Sequence, residues 1–200
     1  MGTEIPRLPY THYSVPFTNK KMQAIIDKTR LWVEKVVVGF NFCPFAYREV
    51  EKGSIRYVVS EGLDAETILT DLLMEMEHLD VNEDTETTLL ILPLAFADFE
   101  DYLDLTDLAD ALVYDQGYEG IYQVASFHPD YRFDGSDEDD AANYTNRSPY
   151  PMLHLLREAS LERVLEHHLN PEMIPERNVE FAREKGLAYM QVILESIMKK

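Results

Sequence analysis

The chain has 200 residues, of which 46% are hydrophobic and 28% are charged. This composition is typical of a globular domain and excludes a fibrous or disordered chain. There is no apolar run of about 18 residues and no apolar core of a secretion signal, so we expect a cytoplasmic protein without a membrane partner. The single cysteine, Cys43, excludes a disulfide framework. The formal net charge of −19 argues against nucleic acid as a partner.

Apolar periodicity predicts six elements in the first two thirds of the chain. Residues 1–19 contain three prolines and no periodicity, which predicts an extended arm. The elements that follow are a helix over 20–38, a strand over 55–60, a helix over 64–79, a strand over 87–92, a helix over 98–115 and a strand over 121–127.

The last third is predicted to be a long loop followed by helices. Residues 128–151 have no periodicity, and a loop of that length in a compact domain is often functional. Ser148 followed by Pro149 is typical of a helix start, because serine caps free N–H groups and proline has no N–H to leave unpaired. We therefore expect a helical C-terminal part from about residue 149.

The alternation of helices and strands predicts an α/β fold. We expect a small sheet of three or four strands with helices packed on it, in a single domain over 20–200. A fourth strand would lie in 93–97 or in the arm. A ferredoxin-like α+β arrangement also alternates helices and strands and stays open as the alternative.

Three stretches of the sequence resemble a known family. They are 39–46 (GFNFCPFA), 123–129 (QVASFHP) and 143–151 (NYTNRSPYP), the last of which runs on into 153–158 (LHLLRE). Together they resemble the bacterial family catalogued as domain of unknown function 1415, over most of the chain after the arm. The family name implies no activity, so the resemblance assigns no catalytic residue.

His128 and Cys43 are the candidate catalytic residues. His128 follows the predicted strand 121–127, and ligands of open α/β sheets bind outside the carboxyl ends of strands. A histidine there can act as acid or base, or it can simply bind a loop carbonyl and hold the turn. Cys43 follows a predicted helix C-terminus, which disfavours a thiolate, so as a nucleophile it would need His128 or Arg48 nearby. Otherwise it is a buried cysteine among phenylalanines.

A cluster of polar residues around position 147 is the candidate anion site. Asn143, Asn146, Arg147 and Ser148 surround the predicted helix start, where free N–H groups attract anions, and Arg132 lies in the same loop. Arg147 could bind a carboxylate or phosphate through its guanidinium. The alternative is that these residues cap and shape the loop.

The acidic run that begins at Asp134 does not predict a metal site. It lacks the glycine and the final glutamate of a calcium loop. His128, Asp139 or Asp140, and His154 are weak candidate ligands without diagnostic spacing. We therefore predict neither a metal nor a cofactor.

The sequence is compatible with two functions, one enzymatic and one limited to binding. The first is hydrolysis or group transfer on a small anionic substrate, with His128 as acid and base. There is no P-loop, GxGxxG, HExxH, GxSxG or CxxC motif, which disfavours a kinase, a Rossmann oxidoreductase and the familiar serine hydrolases. The second is a binding or adaptor domain that docks a basic partner, because Tyr57 to Tyr131 contains 19 of the 37 acidic residues and no lysine or arginine.

Overall fold

The structure, a computed structural model, describes residues 17–166 and 170–199, so most of the predicted arm lies outside the described residues. The helices are α1 (Asn19–Trp32), α2 (Ala46–Lys52), α3 (Ala65–Val81), α4 (Phe99–Asp115), α5 (Glu158–Leu165), α6 (Ile174–Lys185) and α7 (Leu187–Met198). The strands are β1 (Ile55–Val59), β2 (Thr87–Ile91), β3 (Tyr122–Phe127) and β4 (Met152–Arg157). A π-helical segment, Val33–Val38, continues α1, and short 3₁₀ helices cover Ala141–Thr145 and Pro171–Met173.

The helices predicted over 20–38, 64–79 and 98–115 are confirmed, the first as α1 with its π-helical continuation. Each begins at a side-chain cap, because Thr18, Asp64 and Asp98 accept hydrogen bonds from the free N–H groups of α1, α3 and α4. None of the described helices combines the length and the apolarity of a membrane span.

In the part of the chain that the structure describes, the strands form one four-stranded sheet in the order β1-β2-β4-β3. β1 and β2 are parallel and are connected through α3, whereas β4 is antiparallel to both of its neighbours. The mixed sheet with packed helices confirms the α/β class. The ferredoxin-like alternative, with its antiparallel sheet, does not describe it.

The helix predicted to start at Ser148 is wrong, because residues 152–157 form the strand β4. This strand pairs with β2 on one side and with β3 on the other. Its apolar run is buried on both faces, as is typical of a central strand. Ser148 donates its hydroxyl to the Tyr150 carbonyl, 2.7 Å away, and caps no helix. The fourth strand therefore lies here and not in 93–97, and the helical C-terminal part begins at Glu158.

The sheet separates two apolar cores. One face packs against α3 and α4 through residues that include Leu72, Leu105 and Leu155. The other face packs against α1 and α7 through residues that include Trp32, Met152 and Ile197. Because side chains alternate along a strand, successive residues of β4 point into different cores.

Tyr102 of α4 bridges β3 and β4 at one end of their ladder. Its buried hydroxyl donates to the Met152 carbonyl at 2.6 Å and accepts a hydrogen bond from the Phe127 N–H at 3.1 Å. Burial raises the pKa of this hydroxyl, so it stays a donor at neutral pH. The bridge fixes the position at which the chain leaves β3 and enters the long loop.

Candidate functional site

His128 directly follows β3, as predicted, and its side chain is fully buried. Nδ1 accepts a hydrogen bond from the Asp130 N–H at 3.0 Å, which leaves Nε2 as the protonated nitrogen that donates to the Phe96 carbonyl at 2.9 Å. The ring packs against Phe99 and Tyr102 of α4. Burial is the main cause that lowers the pKa of His128. The neutral ring thus ties the chain after β3 to the segment before α4.

Asn143 is also fully buried and organises the loop from within. Its Oδ1 accepts hydrogen bonds from the Phe133 N–H and the Ser136 hydroxyl, at 3.1 and 2.9 Å. Its Nδ2 donates to the Asp137 carbonyl at 2.9 Å. Because these bonds use both the oxygen and the nitrogen of the side-chain amide, the Asn143 side chain binds its own loop.

Arg147 braces the same loop with its guanidinium. Nε donates to the Tyr131 carbonyl and an Nη donates to the Glu138 carbonyl, both at 3.1 Å. The guanidinium also stacks over the Tyr144 ring, 4.7 Å from its centre. The physical reason for expecting an anion beside Arg147 was a helix start at Ser148, and the structure has no helix there.

Arg132 and Asn146 do not converge on a common site. Arg132 forms an exposed ion pair with Glu100 of α4 at 3.4 Å. Asn146 lies against the end of β3 and donates to the Ser126 carbonyl at 3.5 Å. Within the described chain, Asn143 and Arg147 hold the loop 128–151 together, whereas Arg132 pairs with α4.

The weak metal candidates also lie apart. Asp140 pairs with Arg183 of α6 at 2.6 Å, and Asp139 is exposed next to it. His154 lies in the middle of β4, with its side chain on the opposite face of the sheet from His128. The described residues include no group of three or more histidine, cysteine or acidic side chains that could hold a metal ion.

A cavity of about 250 Å³ lies between the sheet and the helices α1, α2 and α5. Its walls are mainly apolar and include Trp32, Leu89 and Phe127. Its polar lining residues are Cys43, Glu49, Glu86, Thr87, His154, Arg157 and Ser160. The cavity extends over one face of the sheet from the beginning of β1 and β2 to Phe127 at the end of β3. The His128 ring lies on the opposite face, against Tyr102.

His154 lies at the centre of this cavity floor, between Leu89 of β2 and Ala125 of β3. The Thr87 hydroxyl donates to the Leu155 carbonyl at 2.6 Å, so it accepts from Nε2 of His154 at 2.7 Å. This arrangement places the proton on Nε2 and makes Nδ1 the free acceptor. Burial lowers the pKa of His154 to about 4, so the ring is neutral at pH 7.

Cys43 lines the same cavity from the turn before α2. Burial raises the pKa of its thiol, and hydrogen bonds from the backbone of Phe45 and Ala46 to the sulfur oppose that rise in part. The side chain of Arg48 is largely exposed and lies near Glu49. Cys43 is therefore a protonated, partly buried thiol in mainly apolar surroundings.

The structure does not bring Cys43 and His128 together. Cys43 shares its cavity with His154 on the face of the sheet that packs against α1. His128 packs against Tyr102 on the face that carries α3 and α4. A nucleophile and a base on opposite faces of a sheet cannot exchange a proton directly.

Two carboxylates mark one end of the cavity. The Oε1 atom of Glu86 is buried and has no hydrogen-bond partner. Glu49 accepts a hydrogen bond from the Ser54 hydroxyl at 2.7 Å, and the Ser54 carbonyl accepts from the Glu86 N–H at 2.9 Å. Ser54 thus binds the backbone of Glu86 and the side chain of Glu49.

Arg157 lines this end too, but its guanidinium is used by the backbone. It donates to the carbonyls of Leu79, Asn82 and Thr85, which follow one another where α3 leads into β2. The Leu79 carbonyl belongs to the last turn of α3, and those of Asn82 and Thr85 lie in the connection to β2. Arg157 is therefore a structural clamp between β4 and α3.

A family profile described as "Protein of unknown function (DUF1415)" matches residues 24–192. The chain belongs to this family. The match runs from α1 into α7 and includes all the residues that line the cavity. No curated protein and no solved structure matches the chain in the corresponding searches.

Most of the stretches that resemble DUF1415 contribute to the cavity lining, and 143–151 is the one that does not. The stretch 39–46 supplies Cys43, the stretch 123–129 supplies Phe127, and the stretch 153–158 supplies His154 and Arg157. These residues are far apart in the sequence and meet only because β4 lies between β2 and β3.

Neither Glu86 nor the strand position of His154 in this DUF1415 chain is predicted from the sequence. Glu86 precedes β2 and looks like one more acid in a run of acids, so no local signal marks it. His154 stood in a predicted helix, where it would share a face with Glu158. The short apolar run around His154 fits a buried strand as well as a helix, so no local signal decides its position.

Proposed function

We propose that this chain binds a small, mainly apolar molecule in the cavity between the sheet and α1, α2 and α5. The supporting observation is the cavity itself, about 250 Å³ with apolar walls and a few convergent polar groups. Cores are normally packed with few voids larger than a water molecule. Apolar cavities with a few placed polar groups are the usual form of a small-molecule site.

The polar groups favour binding over nucleophilic catalysis. Burial raises the pKa of the Cys43 thiol, whereas a nucleophilic cysteine needs a lowered one. His154 offers Nδ1 as an acceptor that can orient a ligand, and its ring is neutral at pH 7. An enzymatic role for His128 would require the ring to give up one of its two hydrogen bonds to the backbone.

Filling the cavity tests this function. Ala125 lines the cavity from β3, so Ala125→Leu places three more carbon atoms in the space. Ala111→Leu on the exposed side of α4 is the matched control. We expect 2-phenylethanol and 1-butanol to raise the melting temperature of the wild type and of the control, and to have no effect on Ala125→Leu. An equal response of all three proteins would contradict binding in this cavity.

A second candidate function is the docking of a basic partner by α4. Asp104, Asp107 and Asp110 are exposed on this helix. Burial and then the negative charge of Asp107 raise the pKa of Asp110. A cation bound beside the two aspartates would offset their mutual repulsion.

An oligolysine peptide in low salt tests this second function. Changing the three α4 aspartates to asparagine should weaken binding of the peptide. The same number of neutralised acids on α6, at Glu176, Glu180 and Glu184, should weaken it less. Equal losses would indicate only the net charge of the protein and would contradict a dock on α4.

A further inference from the structure

We propose that the polar end of the cavity binds a protonated amine, carried by the apolar molecule that occupies the rest of the space. The inference rests on the proposed function and names the chemistry of the ligand's polar group. It differs from the anionic substrate that the sequence suggested.

The first argument is the unpaired oxygen of Glu86. Oε1 is buried and accepts no hydrogen bond, although buried polar atoms in proteins nearly always have a partner. Glu86 is one of the residues that line the cavity, so its side chain lies at the cavity wall. A carboxylate only accepts hydrogen bonds, and a charged donor makes the strongest ones. An ammonium group supplies both the donor and the opposite charge.

The second argument is the charge around that oxygen. Glu49 is the other carboxylate in the lining, and Ser54 connects it to Glu86. Arg157 is the one lysine or arginine that lines the cavity, and its guanidinium donates to backbone carbonyls. Glu49 is already paired with Lys52, whose Nζ lies 3.3 Å from its Oε1. Among the residues described at this site, Glu86 is therefore the lining carboxylate without an ion pair. Between apolar walls, the attraction between an ammonium group and a carboxylate is stronger than it is in water.

Two pairs of probes separate the amine from the apolar body. 2-Phenylethylamine is compared with 2-phenylethanol, and butylamine with 1-butanol, by calorimetry with the full chain at pH 7. Each pair has the same body and differs in the polar group. We expect the amine of each pair to bind about tenfold more tightly, as for a charge-assisted hydrogen bond. Phenylacetate should bind more weakly than either phenylethyl probe, because its carboxylate has the same charge as that of Glu86.

The variant Glu86→Gln assigns the effect to one side chain. It keeps the shape of Glu86 and removes its charge, so we expect an approximately tenfold loss of amine affinity with the alcohols unchanged. Glu83→Gln is the matched control, because Glu83 is an exposed acid on the same connection between α3 and β2. It should lower amine affinity much less.

The outcomes distinguish the two levels of the proposal. If amines and alcohols bind equally, or if Glu86→Gln and Glu83→Gln behave alike, the amine subsite is wrong while the apolar cavity site stands. If Ala125→Leu does not reduce binding of the alcohols, or if no probe binds at all, the proposed function fails and the amine subsite fails with it.

Discussion

The neutral histidine under the cavity makes the stability of the protein sensitive to acid. In the unfolded chain the His154 ring titrates near its ordinary pKa of 6.5, whereas burial lowers the pKa in the folded state to about 4. Above pH 6.5 both states hold a neutral ring. As the pH falls below 6.5, the unfolded state takes up a proton that the folded state cannot, so the free energy of unfolding decreases.

The size of the effect follows from the difference between the two pKa values. Each pH unit between 6.5 and 4 removes about 1.4 kcal/mol of stability, and the full window removes about 3 kcal/mol. The sequence isoelectric point is about 4.6, so measurements stop at pH 5 to avoid aggregation. At pH 5 the wild type should have lost about 2 kcal/mol through this group alone.

The perturbation is His154→Gln, which does not titrate and keeps an N–H donor for Thr87. Urea unfolding is followed between pH 7.5 and pH 5 through the fluorescence of Trp32, the only tryptophan of the chain. The difference between wild type and variant should shrink as the pH falls. Leu89→Val, at the position paired with His154 on β2, should give a constant offset instead. Parallel curves for wild type and His154→Gln would refute the buried neutral histidine.

Three further substitutions test the clamps around the site. Tyr102→Phe removes the bridge between β3 and β4 and should lower the free energy of unfolding by about 1–3 kcal/mol, while Tyr114→Phe, exposed on the same helix, should leave it unchanged in urea unfolding. Arg147→Met should cost about 1.5 kcal/mol and speed amide hydrogen exchange in the loop 128–151; unchanged exchange there would contradict the bracing role. Arg157→Lys should lower the melting temperature by several degrees, because an ammonium cannot span three carbonyls; an unchanged melting temperature would contradict the clamp.

Local patterns were sufficient for most of the fold. α3 and α4 follow from apolar periodicity that begins at the capping residues Asp64 and Asp98. β2 follows from a short continuous apolar run. The run in β4 is just as apolar, but Ser148 and Pro149 before it are typical of a helix start. Periodicity cannot separate a buried strand from a helix over such a short run, and the pairing with β2, about 60 residues earlier, decides it.

The candidate site was harder to predict, because its contacts are not local. His128 was placed correctly at the end of β3, yet its role depends on the Phe96 carbonyl, 32 residues earlier. Cys43 and His154 share a cavity only because β4 is inserted in the sheet. The helix start on which the predicted anion site depends is absent for the same reason, because residues 152–157 form a strand.

The position of β4 has a consequence for synthesis of the chain. β2 and β3 are neighbours of β4 and not of each other, so each keeps an unpaired edge until residues 152–157 leave the ribosome. About 60 residues separate β2 from β4, which corresponds to roughly 3–12 s of translation. During that interval, two apolar strands have exposed edges that can pair with other chains. Chaperone demand during expression should therefore be greatest before β4 is made, and truncations just upstream of Met152 should aggregate.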